Sequence, residues 1–203
     1  MGNKWVISGV IAALVVVFLA WLFIESSKPL PGTKLDDLGR GHVPIGEQVE
    51  YNSNPPTSGK HYEDWIRAGV YDEPKDDRNL VHSLEHGYII MSYKCVIATP
   101  SEARGKQSSS ENEEIARLAE SAKRATSPAA PRNDECEGRK DQLAQVYEKK
   151  GQRKLIVVPR QNLDTNFALT AWTYLDKFDS LDAARIGQFI DTYRDQGPER
   201  TME

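Results

Sequence analysis

The hydrophobic and polar positions divide the chain into an apolar N-terminal run and a longer polar remainder. The segment WVISGVIAALVVVFLAWLFI, residues 5–24, contains no charged side chain. At 1.5 Å per residue, about 20 helical residues cover a hydrocarbon core roughly 30 Å thick. Instead of a small-residue cleavage site, the bulky AWLFIE sequence leads directly into the polar chain. The pattern therefore predicts an uncleaved transmembrane anchor, preceded by a short tail of residues 1–4.

Proline and glycine divide the polar remainder into segments. Residues 25–42 contain two prolines, three glycines and few apolar side chains, which predicts a tether. The segment from about 99 to 135 is rich in serine, alanine, charge and proline, so it predicts a polar surface insertion that contains a short amphipathic helix. These boundaries predict one domain over residues 43–199 and a C-terminal tail of residues 200–203.

The domain shows two kinds of periodicity. Three short runs with the β-branched and aromatic content of strands are bounded by turn residues: GYIIMSYK (87–94), KLIVVPR (154–160) and FALTAWTYL (167–175). Two longer segments with helical spacing, 134–151 and 180–197, each end at a glycine. The order strand, insertion, helix, strand, strand, helix predicts an α+β domain with a small mixed sheet covered by helices. The predicted fold is this domain preceded by one transmembrane helix.

Composition and charge narrow the class of protein. The mean hydropathy of the whole chain is −0.58 despite the apolar run, so the domain itself is strongly polar. The net charge is −4, and the sequence contains no basic stripe of the kind that binds nucleic acid. We therefore expect no nucleic-acid partner.

The cysteines help to indicate whether the domain lies inside or outside the cytoplasm. The chain has two, Cys95 and Cys136. An even number in a domain that follows a predicted membrane anchor favours one disulfide outside the cytoplasm. Such a bond would close a loop of about 40 residues and stabilise the fold by a few kcal/mol. The alternative is a pair of buried, unpaired thiols in a cytoplasmic domain.

Several motifs in the same order point to a family. YNSNPPTSGKHY (51–62), VHSLEHGYIIMSY (81–93), FALTAWTY (167–174) and GPE (197–199) together resemble the uncharacterised bacterial family called Domain of Unknown Function 3105. The resemblance extends from Gly46 to Glu199. It implies an exported domain behind an N-terminal span or signal. It also implies the pairing of the two cysteines, because some relatives are similar in having one after the MSY strand and one at the start of the next helix. The long polar insertion departs from the family pattern, so it inherits no role.

The charges beside the apolar run and the family resemblance favour opposite orientations. Lys4 precedes the run, whereas Lys28, Lys34 and Arg40 follow it, which favours a cytoplasmic C-terminal part by the positive-inside rule. Long C-terminal domains, however, translocate largely regardless of such charges. The disulfide hypothesis and the resemblance both favour export. We therefore expect a single-pass protein of the cell membrane with a cytoplasmic N-terminus, the domain outside and an envelope protein as partner.

The histidines suggest a metal site. Two of the four histidines lie four residues apart in HSLEH (82–86). On one helical turn His82 and His86 would face the same side, and two neutral imidazoles at that spacing can bind one metal ion. His61 is the predicted third ligand, because the prolines and the glycine of NPPTSGKHY form the kind of stiff loop that presents functional side chains.

A further ligand would decide which metal is bound. Glu85 or water favours zinc, whereas the soft thioether of Met91 favours copper. Strict alternation along the strand also allows Met91 to fill the core instead. We expect a copper or zinc ion, with copper slightly ahead. His42 in the tether and Glu199 near the C-terminus are expected to be solvated.

Other functions compete with metal binding. In the first, the domain is a structural or interaction module of the envelope, and the histidines clasp loops through hydrogen bonds to backbone carbonyls. In the second, HSLEH is the H-x-x-E-H signature of a zinc-dependent hydrolase. That chemistry requires a full helix beneath the motif, and Gly87 with the strand behind it argues against one. A thiol oxidoreductase is disfavoured because the cysteines lie far apart in sequence. We therefore expect a non-catalytic protein and assign no catalytic residue.

Overall fold

The protein is described here by a computed structural model covering residues 3–26, 30–95 and 133–201, with the side chains of the first segment described from 7 to 23. The predicted insertion, including its short helix, lies outside these residues except for its last positions. The chain forms two compact units, Met1–Pro31 and Gly32–Glu203.

The N-terminal unit contains helix α1 (Asn3–Ser26). In the part of the chain that the structure describes, no helix combines the length and the apolar character needed to cross a membrane, so the prediction of a transmembrane helix was wrong.

In the part of the chain that the structure describes, the second unit is built on one mixed sheet of six strands in the order β1-β6-β5-β3-β4-β2. The strands are β1 (Thr33–Lys34), β2 (Gly69–Val70), β3 (Ile89–Lys94), β4 (Leu155–Arg160), β5 (Phe167–Ala171) and β6 (Tyr174–Phe178). Strand β3 lies inside the sheet, parallel to β4 and antiparallel to β5. The prediction of a mixed α+β domain is confirmed.

Within the described residues, three helices accompany the sheet. They are α2 (Asp77–Glu85), α3 (Asn133–Lys149) and α4 (Ala183–Tyr193). Helices α3 and α4 match the two predicted helical segments. Helix α2 was not predicted, because HSLEH followed directly by Gly87 indicates only a single helical turn around His82.

The predicted strand at 167–175 is in fact a hairpin of two strands. Strands β5 and β6 are antiparallel and joined at Trp172 and Thr173, where Thr173 takes a φ of 63°. Residues that tolerate positive φ in turns are usually glycine or asparagine. Since FALTAWTYLDKF contains neither, the turn had no recognisable signal in the sequence.

Both faces of β3 are buried, and different helices cover them. On one face, Ile89, Met91 and Tyr93 pack with apolar side chains of α3 and α4. On the other, Ile90 packs with Leu80 and Leu84 of α2. Period-two alternation in the strand thus holds α2 against the sheet on the face opposite α3 and α4.

Part of the segment predicted as a tether belongs to the domain. Strand β1 forms one edge of the sheet by pairing with β6. Beyond it, the Leu35 backbone amide donates a hydrogen bond to the Thr173 carbonyl at 2.8 Å. These contacts hold the residues that lead to His42 on the domain surface.

The predicted disulfide is present. Cys95, directly after β3, is bonded to Cys136 in the first turns of α3, with a Cα–Cα distance of 5.0 Å. The bond ties the central strand to a helix that covers it.

Reduction of this disulfide is expected to lower the free energy of unfolding by about 2 to 4 kcal/mol, because it releases a cross-link in the unfolded chain. The two cysteines are separated by 41 positions. Denaturant unfolding with and without reductant measures the change. The Cys95→Ser/Cys136→Ser double variant is the control: it should resemble the reduced protein and ignore reductant. An unchanged midpoint in the reduced native protein would contradict this expectation.

Asp195 lies just after α4, and its ion pair with Arg153 predicts that the stability of the fold depends on pH. Arg153 pairs with the Asp195 carboxylate, which lowers the pKa of that carboxyl from 3.8 to about 2. A carboxyl with a depressed folded-state pKa stabilises the fold above its unfolded pKa, and that stabilisation is lost as the pH falls toward the folded value.

Asp195→Asn should therefore lower stability at pH 6 by about 1 kcal/mol, a figure reduced for solvent screening because the side chain is 41% exposed. The difference from the native protein should shrink between pH 4 and pH 2. Unfolding free energies measured across this range test it. Arg153→Gln should give the same profile, and a difference that persists at pH 2 would count against the assignment.

Candidate metal site

Helix α2 carries the HSLEH motif into the interior of the domain. The Asp76 carboxylate caps its N-terminus by accepting a hydrogen bond from the Arg78 amide at 2.9 Å. The helix ends at Glu85, with His86 as the capping residue. Gly87 follows with a φ of 81°, and a Cβ there would lie 2.8 Å from the Asp195 Cα. Only glycine fits this corner, which directs the chain from α2 into β3.

The loop before α2 places His61, whose side chain is fully buried. The backbone around His61 pairs with a second segment: its amide donates to the Gly41 carbonyl at 3.0 Å, and its carbonyl accepts from the Val43 amide at 2.8 Å. This short parallel bridge sets His42 beside His61, with ring centroids 5.2 Å apart.

Two of the imidazoles are oriented by backbone carbonyls. Nδ1 of His61 lies 2.8 Å from the Gly59 carbonyl oxygen, and Nδ1 of His82 lies 2.8 Å from the Tyr62 carbonyl oxygen. A carbonyl oxygen only accepts, so each Nδ1 carries the proton and donates it. In the neutral imidazole the lone pair is then on Nε2 of both rings.

The first ligand group consists of His42, His61, His82 and Glu85. One possible ligand atom from each of these residues lies within 4.8 Å of every other. Nε2 of His61 is 2.8 Å from Oε2 of Glu85. Among the described residues, this nitrogen has no partner with hydrogen-bond geometry, despite that short distance. Nε2 of His61 and the Glu85 carboxylate oxygen thus face each other, and both are atoms that can bind a cation.

Arg40 also approaches Glu85. Its Nη1 is 3.6 Å from Oε1 of Glu85, and its own side chain is 54% exposed. This ion pair partly offsets the carboxylate charge from the solvent side. It uses the other carboxylate oxygen, so Oε2 still faces His61.

The second ligand group contains His82, His86 and Glu199, again with one ligand atom each within 4.8 Å of the others. Nε2 of His86 is 3.1 Å from Nε2 of His82 and 3.7 Å from Oε2 of Glu199. His82 is therefore shared by both groups. The Glu199 side chain is 53% exposed, so this group opens toward solvent.

The electrostatics favour an uncharged His82. Burial lowers its pKa below 6.5, and the neighbouring histidines lower it further, whereas the hydrogen bond to Tyr62 acts in the opposite direction. Desolvation disfavours the charged imidazolium. At neutral pH the ring is thus in the form that binds metal ions.

An aromatic side chain closes one side of the shared histidine. The Trp65 ring lies 5.6 Å from the His82 ring and 4.9 Å from the His86 ring, measured between centroids. This contact limits water access to both imidazoles from that direction.

The structure brings together most, though not all, of the residues predicted for the site. His61, His82 and Glu85 meet in the first group, whereas His86 joins His82 in the second. Met91 does not reach either group, because it is fully buried in the core on the α3 and α4 face of β3.

Two residues of the groups were expected to be solvated. The composition around His42 predicts a tether. In the structure, its backbone bridge to His61 brings His42 to the site. Glu199 lies near the C-terminus, where a free tail is the ordinary expectation. The chain has only four histidines, and three of them were already assigned to the site. This scarcity is the sequence signal that could have pointed to His42 as the fourth.

The donor set consists of imidazole nitrogens and carboxylate oxygens. Within the described residues no free cysteine is present, since Cys95 and Cys136 are bonded to each other. With the thioether of Met91 elsewhere, no sulfur ligand contributes. Nitrogen and carboxylate donors suit zinc and other borderline divalent ions better than the softer copper(I).

Comparison with known protein families identifies a match over most of the chain. The family described as Protein of unknown function (DUF3105) matches residues 42–134 and 130–203, which include every member of both ligand groups. No curated protein and no solved structure matches the chain. The match covers most of the chain and confirms the resemblance inferred from the sequence motifs. The chain therefore belongs to the DUF3105 family of proteins of unknown function.

Proposed function

We propose that the domain binds one divalent transition-metal ion through His42, His61, His82 and Glu85. The observation that carries this proposal is the orientation of His61 and His82. Each donates its Nδ1–H to a backbone carbonyl at 2.8 Å and keeps Nε2 for another partner. Metal-binding histidines typically have their second nitrogen engaged in this way, which sets both tautomer and ring orientation.

The buried charge supports the same conclusion. The Glu85 side chain is only 7% exposed, and its Oε2 faces the His61 nitrogen at 2.8 Å. A buried carboxylate is costly unless a positive charge compensates it. Arg40 supplies part of that charge from the surface, and a divalent ion at the centre of the group would supply the rest.

Zinc is the ion that the ligands suit best. Three imidazoles and one carboxylate complete a tetrahedral zinc site, and zinc sites with four protein ligands are generally structural. Copper(II) is the competitor, because it binds nitrogen and oxygen donors more strongly than zinc. The location of Met91 in the core removes the reason for placing copper first.

Hydrolysis through H-x-x-E-H fits the geometry poorly. That mechanism needs both histidines of the motif on one zinc ion and the glutamate free as general base. Here Glu85 is directed at His61, while His86 belongs to the other group with His82. The arrangement favours binding over catalysis.

We further propose that the domain functions outside the cytoplasm. The disulfide between Cys95 and Cys136 supports this location, since disulfides persist in oxidising compartments. An envelope protein remains the expected type of partner.

A second function, the structural clasp, is supported by the same hydrogen bonds. His61 and His82 bond to carbonyls of residues 59 and 62, so they hold the loop in place without any ion. The two functions differ in what the Nε2 atoms do. Metal binding uses them, whereas a clasp needs only the Nδ1 atoms.

Metal binding is tested first on the full-length chain made without a histidine tag and dialysed against zinc. Elemental analysis should find one zinc per chain. Glu85→Gln keeps the shape of the side chain and removes its charge, so the zinc affinity should fall by about 100-fold. Glu148→Gln, at an exposed position on α3, is the matched control and should bind like the native protein. Unaltered affinity in Glu85→Gln would refute the proposed ligand set.

Two substitutions at His61 separate the metal site from the clasp. Asparagine can still donate to the Gly59 carbonyl but has no nitrogen in the Nε2 position, whereas alanine has neither group. Without metal, His61→Ala should lose about 1 to 3 kcal/mol of stability and His61→Asn much less, since only alanine leaves the hydrogen bond unmade.

With zinc present, both His61 variants should fail to gain the stabilisation that the native protein gains. For the native protein that gain is about 2.7 kcal/mol at a free zinc concentration 100 times the Kd. Thermal melting with and without zinc measures both effects. A native protein that zinc does not stabilise, combined with a destabilised alanine variant, would establish the clasp alone.

A further inference from the structure

The second ligand group is fixed in place and is not a chance approach of a tail. The C-terminal segment, residues 195–201, runs along the corner between α2 and β3. The Asp195 amide donates to the Gly87 carbonyl at 2.9 Å, and the Glu199 amide donates to the Glu85 carbonyl at 3.0 Å. These bonds hold Glu199 beside the end of α2, where His86 lies.

Gly197 makes this close approach possible. A Cβ at position 197 would lie 2.2 Å from the Glu85 carbonyl oxygen and 2.3 Å from the Gly87 nitrogen. No real side chain tolerates those distances, so only glycine allows the segment to pack against the corner. The sequence GPE thus brings its glutamate to the ligand group.

A buried lysine clamps the same segment. Nζ of Lys154 donates to the His86 carbonyl and to the Thr201 carbonyl, both at 2.8 Å, and to the Thr201 hydroxyl at 3.0 Å. The lysine side chain is only 2% exposed. A buried ammonium with several acceptors connects the backbone of His86 to the C-terminal segment and restricts the motion of Glu199.

The shared histidine limits how the two groups are used. Nδ1 of His82 is bonded to the Tyr62 carbonyl, which leaves Nε2 as its ligand atom. One nitrogen lone pair bonds to one metal ion at a time. While that hydrogen bond persists, the two groups cannot both be filled through His82.

We propose that the two groups are alternative positions of a single metal ion, which moves between them without leaving His82. This inference rests on the proposed function, because the first group is its starting position. In the move, the ion loses its bonds to His42, His61 and Glu85 and gains bonds to His86 and Glu199. The second position supplies three protein ligands, so a tetrahedral ion there keeps one place for an outside donor.

The second position is thus the point of exchange with an acceptor. Its carboxylate is 53% exposed, and its open coordination place can accept a donor atom from a chelator or a metal-carrying partner. Stepwise exchange through a mixed complex avoids releasing a free ion from a buried group. We therefore expect metal transfer to be faster than the dissociation of a free ion from a site of the same affinity.

The test follows zinc transfer from the full-length chain to the chromophoric chelator 4-(2-pyridylazo)resorcinol in a stopped-flow instrument. Native protein and Glu199→Gln are both loaded with one zinc per chain. The variant should transfer zinc about tenfold more slowly and take it up more slowly by the same factor, because it lacks a ligand of the exchange position. Glu148→Gln is the control and should transfer at the native rate.

The outcomes separate this inference from the proposed function. Normal zinc binding with unchanged transfer in Glu199→Gln overturns the exchange position alone. Two zinc ions held tightly by each native chain overturn the mutual exclusion through His82. Absence of zinc from the native protein overturns the proposed function and this inference with it.

Discussion

The burial of both faces of β3 is the constraint on which the domain depends. Because Ile89, Met91 and Tyr93 face one way and Ile90 the other, the strand needs cover on two sides. Helices α3 and α4 meet the first need and α2 the second. Helix α2 packs on the second face through Leu80 and Leu84. This packing places the HSLEH residues in the interior. The site is therefore a consequence of the core.

Once α2 is in place, hydrogen bonds decide what its histidines can do. Buried polar groups need partners, and the carbonyls of the preceding loop supply them to Nδ1 of His61 and His82. The same bonds determine the tautomers and leave the Nε2 atoms for a ligand. A clasp and a metal site thus share their supporting contacts, which is why stability alone does not distinguish them and why substitutions at His61 must separate its two nitrogens.

Segments at the two ends of the domain complete the two ligand groups. The segment that follows β1 supplies His42, whose backbone forms a bridge with His61. The C-terminal segment supplies Glu199 and is held in place by hydrogen bonds from Lys154. Neither segment has a strong secondary-structure pattern of its own. Their contributions depend on specific backbone contacts with the corner around residues 85–87 and with the loop around residue 61.

Local patterns were enough to predict α3, α4, the buried central strands, the mixed α+β class and the cysteine pair. Each of these depends on the spacing of residues close together in the chain, or on a resemblance that the motifs themselves carry. The same patterns predicted a site of His61, His82 and His86 with Glu85 or Met91 as a further ligand, whereas the structure places His61, His82 and Glu85 in one group and His86 in the other. They failed for the membrane span, for the hairpin at Trp172, which lacks turn residues, and for α2, whose short length hid its period.

The placement of His42, Glu199 and Met91 depends on long-range contacts and not on local spacing. His42 and Glu199 reach the site through backbone hydrogen bonds between segments far apart in sequence, and such pairing leaves no periodic trace. Met91 faces away from the histidines because the pleat of β3 directs alternate side chains to opposite faces, and the side on which α2 packs determines which face belongs to the site. Local spacing specifies the elements and the types of donor atom. Long-range packing alone determines which donors share a centre.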